Sequence, residues 1–312
     1  MLGCLHFSVK KIERWGILFL IATWPLGSCE DVIDVDIPEP ETRLVVNGIV
    51  RVDPEQEFAP VEIRVTESSG FFEENTVTQL ESAVILIGER DPDDPFSRNF
   101  GAAVLVESEP GSGIYIPSYI PGTDTDDRIR TEFFNTNTEF FLIVEHKGRR
   151  YAGQTFYTPT VQIDNLEQGS ETLFDEDDIE IKITITDVPD IENYYVFDFG
   201  EGEFLALNDQ FIDGQEFEFS YFLERDLEPG EQLEVSILGA DQQFFNYIDL
   251  LVEQTENDGG VFETPAATVR GNMFDVTGLD NIEIFDNVGR PDSFALGYFA
   301  MTQEAKASIV IE

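Results

Sequence analysis

Hydrophobic and polar residues alternate along much of the chain with the two-residue period of a β-strand. The clearest run is residues 179–186, where four isoleucines alternate with polar side chains, so that one face meets a core and the other meets water. Residues 83–88 are apolar throughout, and so short a run predicts a buried strand rather than a helix. Further strands are predicted at 43–50, 61–65, 114–116, 140–145, 149–157, 194–199, 217–223, 233–238, 295–301 and 307–311.

Turn-forming residues separate these strands. Asp, Pro and Gly are concentrated at 91–95 and 121–124, and the chain has no strand–helix–strand alternation and no fixed-period repeat. Short strands at this spacing predict a mostly β protein built of antiparallel β-sandwiches of the immunoglobulin-like type. Residues 158–178 are polar and poorly periodic, so we place a domain boundary there. It separates an N-terminal sandwich at 42–160 from a C-terminal sandwich at 161–312.

One segment of the C-terminal half has helical periodicity instead. An amphipathic helix is predicted at 242–256, with Asp241 as its N-cap and with Asn257 and Gly259 at its end. Its apolar residues share one face, which suits a helix laid across a sheet. They are Phe244, Tyr247, Ile248, Leu251 and Val252.

The first residues have the features of an export signal. Basic residues precede an apolar run at 15–24, which is too short to span a bilayer. The run leads into Leu-Gly-Ser-Cys29, which has the form of a bacterial lipobox. We therefore predict a lipoprotein signal peptide at 1–28 and lipid attachment at Cys29. An ordinary signal peptide with an incidental cysteine is the alternative.

An acidic stretch follows the predicted anchor. Residues 30–41 hold six acids and two prolines, which predicts a stiff, solvated tether over 29–41. Two or three acyl chains, at ~0.8 kcal/mol per buried methylene, give lasting anchorage. Acids directly after a lipid-bearing cysteine resemble the Bacteroidetes signal for transfer to the outer face of the outer membrane. We expect the protein there, facing the extracellular side; a tether that merely avoids the bilayer is the alternative.

Charge narrows the choice of partners. The chain has 63 acids against 18 bases, and its 42% hydrophobic content excludes global disorder. A formal net charge of -45 excludes nucleic acid as a partner and makes a surface rich in anionic lipid repulsive. Residues 30–160 hold 26 acids and 10 bases, whereas residues 161–312 hold 36 acids and 5 bases. Such an excess of acids suits a protein that faces high salt, and divalent-ion binding is the alternative.

Catalytic signatures are absent from the sequence. His146 is the only histidine after the signal peptide, and we predict a solvated turn residue rather than a general base. The chain lacks a Gly-x-Ser-x-Gly elbow, a Gly-rich phosphate loop and a set of zinc ligands, so no cofactor is predicted. The acids at 124–127 and 175–178 offer calcium ligands, but neither run matches an EF-hand, and solvated acidic loops explain both.

Two groups of residues are candidates for partner contact. One is a basic cluster, which would pair with the acidic second half, grip an anionic ligand or contact a receptor. Its members are Arg128, Arg130, Lys147, Arg149 and Arg150. The other is Phe71-Phe72, two large rings in a loop-like setting, which is typical of an interface anchor. A loop folded back over the core is the alternative for this pair.

Several motifs, taken in order, resemble a known family. They are the lipobox, Asp-Val-Asp-Ile-Pro-Glu at 34–39, Leu-Val-Val-Asn-Gly at 44–48, the segment 187–195 that ends in Asn-Tyr-Tyr, the helix at 244–255, the segment 265–272 and Gly-Tyr-Phe-Ala at 297–300. This order resembles the domain-of-unknown-function 4249 family of Bacteroidetes lipoproteins. The resemblance implies an accessory role in uptake beside an outer-membrane TonB-dependent receptor, and it assigns no catalytic residues.

Two classes of function follow. The first is a non-catalytic surface lipoprotein that serves as an accessory or ligand-binding partner of a TonB-dependent transporter. The second is a surface hydrolase acting on a polymer, for which any of the many close carboxylate pairs would serve. A structural or adhesive lipoprotein is the third reading. The lack of a nucleophile motif favours the first.

Overall fold

The computed structural model describes residues 42–69, 76–89, 100–173, 179–223, 225–255, 269–278 and 292–312. Within them the chain is mostly β, with a large and mainly antiparallel sheet, a small second sheet and one α-helix. This confirms the mostly β, sandwich-like fold class. The predictions for the signal peptide, Cys29, the tether, Phe71, Phe72 and the helix end at Asn257 and Gly259 lie outside the described residues.

The strands follow each other closely along the chain. Those of the N-terminal half are β1 (Leu44–Val52), β2 (Ile63–Glu67), β3 (Thr76–Val77), β4 (Ser82–Glu89), β5 (Phe100–Glu107), β6 (Ile114–Pro117), β7 (Thr138–His146) and β8 (Arg149–Thr158). Those of the C-terminal half are β9 (Ile163–Gln168), β10 (Glu180–Thr186), β11 (Tyr194–Gly200), β12 (Glu203–Asn208), β13 (Glu216–Phe222), β14 (Gln232–Ala240), β15 (Met273–Asp275) and β16 (Phe299–Val310).

Strand pairing in the N-terminal half closes on itself through the last strand of the chain. The order β1–β2–β6–β5–β4–β7–β8 is antiparallel throughout, and β16 completes it by pairing in parallel with both β1 and β8. Gly48 lies opposite Phe299, and Met301 lies opposite Tyr157. We call this closed set of eight strands the strand ring. Its inward-facing residues form one hydrophobic core, which includes the fully buried Val46, Ile63, Ile85, Phe140 and Leu142.

The C-terminal half forms a two-layer sandwich. One layer is β12–β11–β14 with the second half of β16, and the other is the three-stranded sheet β13–β10–β9. The isoleucines of the 179–186 run fill the space between the layers: Ile181, Ile183 and Ile185 are fully buried against Phe197 and Ile237. The alternation in the sequence therefore predicted this core correctly.

The boundary predicted at residue 160 falls between the two cores, but later segments return to the first core before the chain ends in the second. Met273, Phe299 and Met301 come from the C-terminal half and belong to the core of the strand ring. Strand β9 lies inside the segment that the sequence marks as a boundary, and its alternately half-buried and exposed residues explain the weak pattern. The division into domains at 42–160 and 161–312 stays a prediction.

The helix covers the outer face of the second sandwich. It is α1 (Gln242–Thr255), which confirms the segment predicted from periodicity, and the Asp241 carboxylate accepts a hydrogen bond of 2.7 Å from the backbone N–H of Phe244. Phe244 and Ile248 are buried against Val196, Leu238 and other residues of the sheet.

The two strands predicted at 295–301 and 307–311 are instead one strand, β16. Its middle is polar because it pairs with charged neighbours there, including Arg51, which lies 3.2 Å from Glu304.

Candidate functional site

Two loops of the second sandwich lie against each other beside the start of β11. Residues 187–193 connect β10 to β11, and residues 209–215 connect β12 to β13. Backbone hydrogen bonds join them at both ends, from Asp187 N–H to the Gln215 carbonyl at 3.0 Å and from Asp209 N–H to the Asn193 carbonyl at 3.1 Å. We call this pair of loops the loop surface. The first loop carries the Asp-Val-Pro-Asp-Ile-Glu-Asn motif.

Asp187 fixes the base of the loop surface. Its side chain is buried and accepts hydrogen bonds from the Tyr195 hydroxyl and, at 2.8 Å, from the Gly214 backbone N–H. Burial raises the pKa of the Tyr195 hydroxyl, and the hydrogen bond to Asp187 raises it further, so this tyrosine stays a donor. Neither donor carries a positive charge, so Asp187 is held by dipoles.

Backbone geometry brings the two loops close together. Gly214 has a φ of +65° and packs on Pro189, so a Cβ at this position would lie 2.7 Å from the Pro189 Cβ. Asp190 also has a positive φ, of 64°, and its N–H donates to the Asp213 carboxylate at 2.9 Å. The Asn193 N–H donates to the Asp209 carboxylate at 2.7 Å. Short polar side chains and glycine tolerate these conformations, which explains their presence here.

An acidic cleft of about 490 Å³ lies between the loops. Among the described residues its lining includes four carboxylates and no basic side chain; these lining residues are Asp190, Ile191, Glu192, Tyr194, Asn208, Asp209, Gln210 and Asp213. Carboxylate oxygens of Asp187, Asp209 and Asp213 lie within 4.8 Å of one another. Oxygen donors so close suit a hard cation such as Ca²⁺ or a protonated amine. Both Asp187 oxygens already accept hydrogen bonds, so Asp209 and Asp213 offer the more available atoms.

Apolar side chains project from the same loops. Phe211 is 85% exposed, Ile191 is 55% exposed and Val188 is 40% exposed. Large apolar side chains in such numbers beside a charged cleft are typical of a surface that meets a partner. A second group of exposed aliphatic side chains lies on the outer wall of the strand ring, at Val104, Val106 and Ile116.

The basic cluster predicted from sequence splits into two groups at opposite ends of the strand ring. Arg128 and Arg130 lie near the loop after β1: Arg128 bonds to Asp126 at 2.7 Å and stacks on Phe58, and Arg130 bonds to Glu57 at 2.7 Å. The other group lies at the β7–β8 turn. There Lys147 pairs with Glu67, Arg150 lies 2.6 Å from Glu145, and Arg149 lies 3.9 Å from Asp275. Most of these acids belong to the N-terminal half.

His146 departs from its predicted setting. The ring is buried, not solvated, because the end of β7 packs against β2 and the turn before β4. Its Nδ1 lies 3.0 Å from the Gln79 carbonyl oxygen, and its Nε2 lies 2.9 Å from Glu67 Oε1. Both ring nitrogens therefore have a hydrogen-bond partner, one on the backbone before β4 and one on the last residue of β2. The ring therefore ties three segments together.

Of the two acidic runs considered for calcium, the structure describes only the first. In the run 124–127, Asp126 is taken up by the Arg128 guanidinium, which lowers the pKa of the Asp126 carboxyl. The run 175–178 lies outside the described residues. The acids that do come together are Asp187, Asp209 and Asp213. Asp187 precedes Asp209 by 22 residues, and a tight turn separates Asp209 from Asp213, so their spacing in the sequence did not indicate a common site. The only signal was the motif at 187–193, which pointed to a family and not to a site.

Comparison with known proteins identifies the family. A family model described as Domain of unknown function (DUF4249) matches residues 30–307, and no curated protein matches the chain. In the part of the chain that the structure describes, no helix has the length and apolar character needed to cross a membrane. Since the match covers most of the sequence, the chain belongs to the DUF4249 family.

Proposed function

We propose that the protein is a lipid-anchored, non-catalytic accessory at the outer-membrane surface, which contacts a TonB-dependent transporter through the loop surface. The lipobox at Cys29 and the acidic tether support the location. The observation that carries the contact is Phe211, which is 85% exposed at the tip of a loop beside the acidic cleft. Leaving a phenylalanine ring in water is costly unless a partner covers it.

The chemistry of the loop surface supports a partner that presents a basic side chain beside apolar surface. Carboxylates of Asp190, Glu192, Asp209 and Asp213 line a cleft in which none of the described lining residues is basic. A Lys or Arg side chain of the partner would therefore complement its charge. The exposed Phe211 and Ile191 would pack against apolar surface of the partner that surrounds this Lys or Arg side chain. Aromatic anchors with a charged flank are a common form of interface hot spot. Phe71 and Phe72 stay predicted contacts.

A non-catalytic role agrees with the setting of the single mature histidine. Both nitrogens of His146 are engaged by a carbonyl and a carboxylate, and these contacts hold β7 to β2. A general base needs a nitrogen free to accept a proton from its nucleophile. The carboxylates of the loop surface are held largely by backbone N–H donors, as at Asp209 and Asp213.

The test is copurification from the native host in mild detergent. Tagged, lipidated protein should bring down a β-barrel receptor that mass spectrometry identifies as TonB-dependent. The double variant Ile191→Ala/Phe211→Ala should reduce its recovery at least tenfold, because a hot spot contributes about 2 kcal/mol. Phe133→Ala is the matched control, since Phe133 is 67% exposed but lies on the strand ring. It should leave recovery unchanged.

Two results would contradict this proposal. Equal recovery with the loop variant would move the contact elsewhere, and the outer wall of the strand ring at Val104, Val106 and Ile116 would be the next surface to alter. Turnover of esters, glycosides or peptides by the purified protein, abolished by Asp209→Asn or Asp213→Asn, would replace the accessory role with that of a surface hydrolase.

A further inference from the structure

We infer that the protein stands end-on at the membrane, with the β7–β8 turn and the start of β1 facing phosphate-bearing lipid headgroups. This inference rests on the lipid anchor proposed above. It concerns a different face of the molecule from the loop surface. It also accounts for the division of the basic cluster into two groups.

The chain enters the strand ring at one defined end. β1 begins at Leu44, opposite Glu67 at the end of β2. The Arg43 N–H donates to Ser68 Oγ at 2.9 Å, and the Arg43 guanidinium donates to the Asp292 carbonyl at 2.7 Å. The tether that leads from Cys29 therefore joins the described residues here. We call this the tether end of the strand ring.

Basic side chains gather at the tether end. Lys147 pairs with Glu67, which places the β7–β8 turn beside the start of β1. Arg43 and Arg270 both stack on the Phe294 ring, at 4.2 and 4.3 Å from its centre. Five of the twelve bases in the described ranges lie at this end, namely Arg43, Lys147, Arg149, Arg150 and Arg270.

These bases reach into solvent. The side chains of Lys147, Arg149, Arg150 and Arg270 are 67%, 55%, 49% and 54% exposed. Each lies near a carboxylate, but the Arg149–Asp275 and Arg270–Asp292 separations are 3.9 Å. Exposed ion pairs of this kind are weak, so their bases can exchange a carboxylate for a lipid phosphate.

The rest of the molecule is much more acidic. β16 runs in parallel with β1, away from the tether end, and its second half continues into the second sandwich. Residues 161–312 carry 36 acids and 5 bases. An anionic membrane repels that region, and it repels the tether end least, because the bases there offset neighbouring carboxylates such as Glu67, Glu145 and Asp275. The orientation with the lowest repulsion therefore points the tether end at the lipid.

The tether is short enough to make this orientation matter. Fourteen peptide steps separate Cys29 from Arg43, and an extended chain of that length spans at most about 50 Å. A stiff tether of this length spans about 40 Å and a flexible coil about 20 Å, so both allow the tether end to approach the headgroups. Charges of the tether end therefore come close to the headgroups, where the Debye length of about 8 Å at physiological salt still permits an interaction.

Site-specific quenching tests the orientation. The mature sequence has no cysteine besides Cys29, so Thr76→Cys at the tether end and Thr136→Cys at the opposite end each give one labelling position. Both threonines are exposed in the structure. Lipidated protein would be placed in phosphatidylcholine vesicles containing one fifth phosphatidylglycerol and a headgroup-labelled nitroxide lipid. The label at position 76 should be quenched several-fold more than the label at position 136.

Charge reversal gives a matched pair of variants. Arg149→Glu/Arg150→Glu should bring the two quenching values close together, whereas Arg128→Glu/Arg130→Glu, with the same change in charge at the other end, should keep the difference. Circular dichroism verifies the fold, and Arg149→Gln/Arg150→Gln, which should narrow the difference less, serves if the reversed variant does not fold.

The outcomes separate the two proposals. Equal quenching at both positions, or stronger quenching at position 136, would overturn the orientation while leaving the anchor intact. Failure of the wild-type protein to associate with vesicles at all would overturn the lipid anchor and the orientation with it.

Discussion

The strand ring and the second sandwich hold their carboxylates in different ways. In the ring, Glu67 and Glu145 bond to Lys147 and Arg150, which lower the pKa of both carboxyl groups. In the sandwich, the buried Glu180 accepts from the Ser220 hydroxyl and, at 2.8 Å, from the Glu171 N–H, and these donors likewise lower its pKa. Asp187 and Asp209 also accept hydrogen bonds from neutral donors, namely the Tyr195 hydroxyl and the Asn193 backbone N–H.

The difference shows that neutral hydrogen-bond donors stabilise a buried carboxylate without neutralising its charge. An N–H or O–H donor stabilises a carboxylate about as well as a single ion pair at short range. It leaves the charge itself in place, so repulsion between distant carboxylates remains. With net charges of -16 for residues 30–160 and -31 for residues 161–312, the sandwich retains more of that repulsion than the ring.

The largest effect should come from removing a carboxylate that dipoles hold. Asp187→Ala leaves the Tyr195 hydroxyl and the Gly214 N–H buried without their acceptor. We expect the free energy of unfolding to fall by about 2–4 kcal/mol, measured by urea denaturation. Tyr195→Phe removes only one donor and should cost about 1 kcal/mol.

Asp249→Ala is the control for this comparison. Asp249 lies on the exposed face of α1, so its loss should change stability by less than ~0.5 kcal/mol. If Asp187→Ala were as mild as the control, the loop surface would not depend on the hydrogen bonds described above.

The second largest effect should be a difference between the two regions in how much salt stabilises them. Residues 29–312 carry 62 acids and 15 bases, and the Debye length shortens from about 30 Å at 0.01 M salt to about 3 Å at 1 M. We expect Tm to rise by ~5 °C or more over this range. Amide exchange should slow more in β10 and β13 than in β4 and β7 as salt is added. Equal slowing would mean that bound cations or local pairing already compensate the acids of the sandwich.

The smallest expected effect is the pH dependence of the stability that Glu67 gives to the strand ring. Hydrogen bonds from Lys147 and then His146 lower the pKa of Glu67, so its contribution to stability is present above the ordinary Glu pKa and is lost as pH falls through the lowered value. Glu67→Gln should therefore cost about 1 kcal/mol at neutral pH and very little at about pH 3. Urea titrations at several pH values measure this. Lys147→Met, which keeps the His146 contact, should lose only part of the effect.

Local sequence patterns predicted most of the elements. The alternating isoleucines predicted β10 and its buried face, and the Asp241 cap with its following apolar stripe predicted α1. The all-apolar run at 83–88 became β4, whose inward residues Ala83 and Ile85 are buried. The half-exposed strands β9 and β12 were missed, because a strand with no strongly buried face has no clear period. β15 was missed because three residues are too few to show one.

Long-range features were not predictable in the same way. Nothing near residue 299 indicates that β16 lies between β1 and β8, since pairing depends on partners about 250 and 145 residues away. The turn sequence at Lys147-Gly148 correctly suggested a hairpin, yet it gave no sign that His146 would be buried against Glu67. The carboxylates of the loop surface come together only through the pairing of β10 with β13 and β11 with β12.

The position of β16 has a consequence for biosynthesis. A chain emerging from the ribosome presents residues 44–158 long before residues 299–310, so the ring stays open along the β1–β8 seam until β16 has emerged. Closing that seam late gives a high contact order, which slows folding. Until then two strand edges are exposed to other chains. A truncated product that lacks β16 therefore exposes the edges of β1 and β8. We expect such a fragment to aggregate or to be degraded.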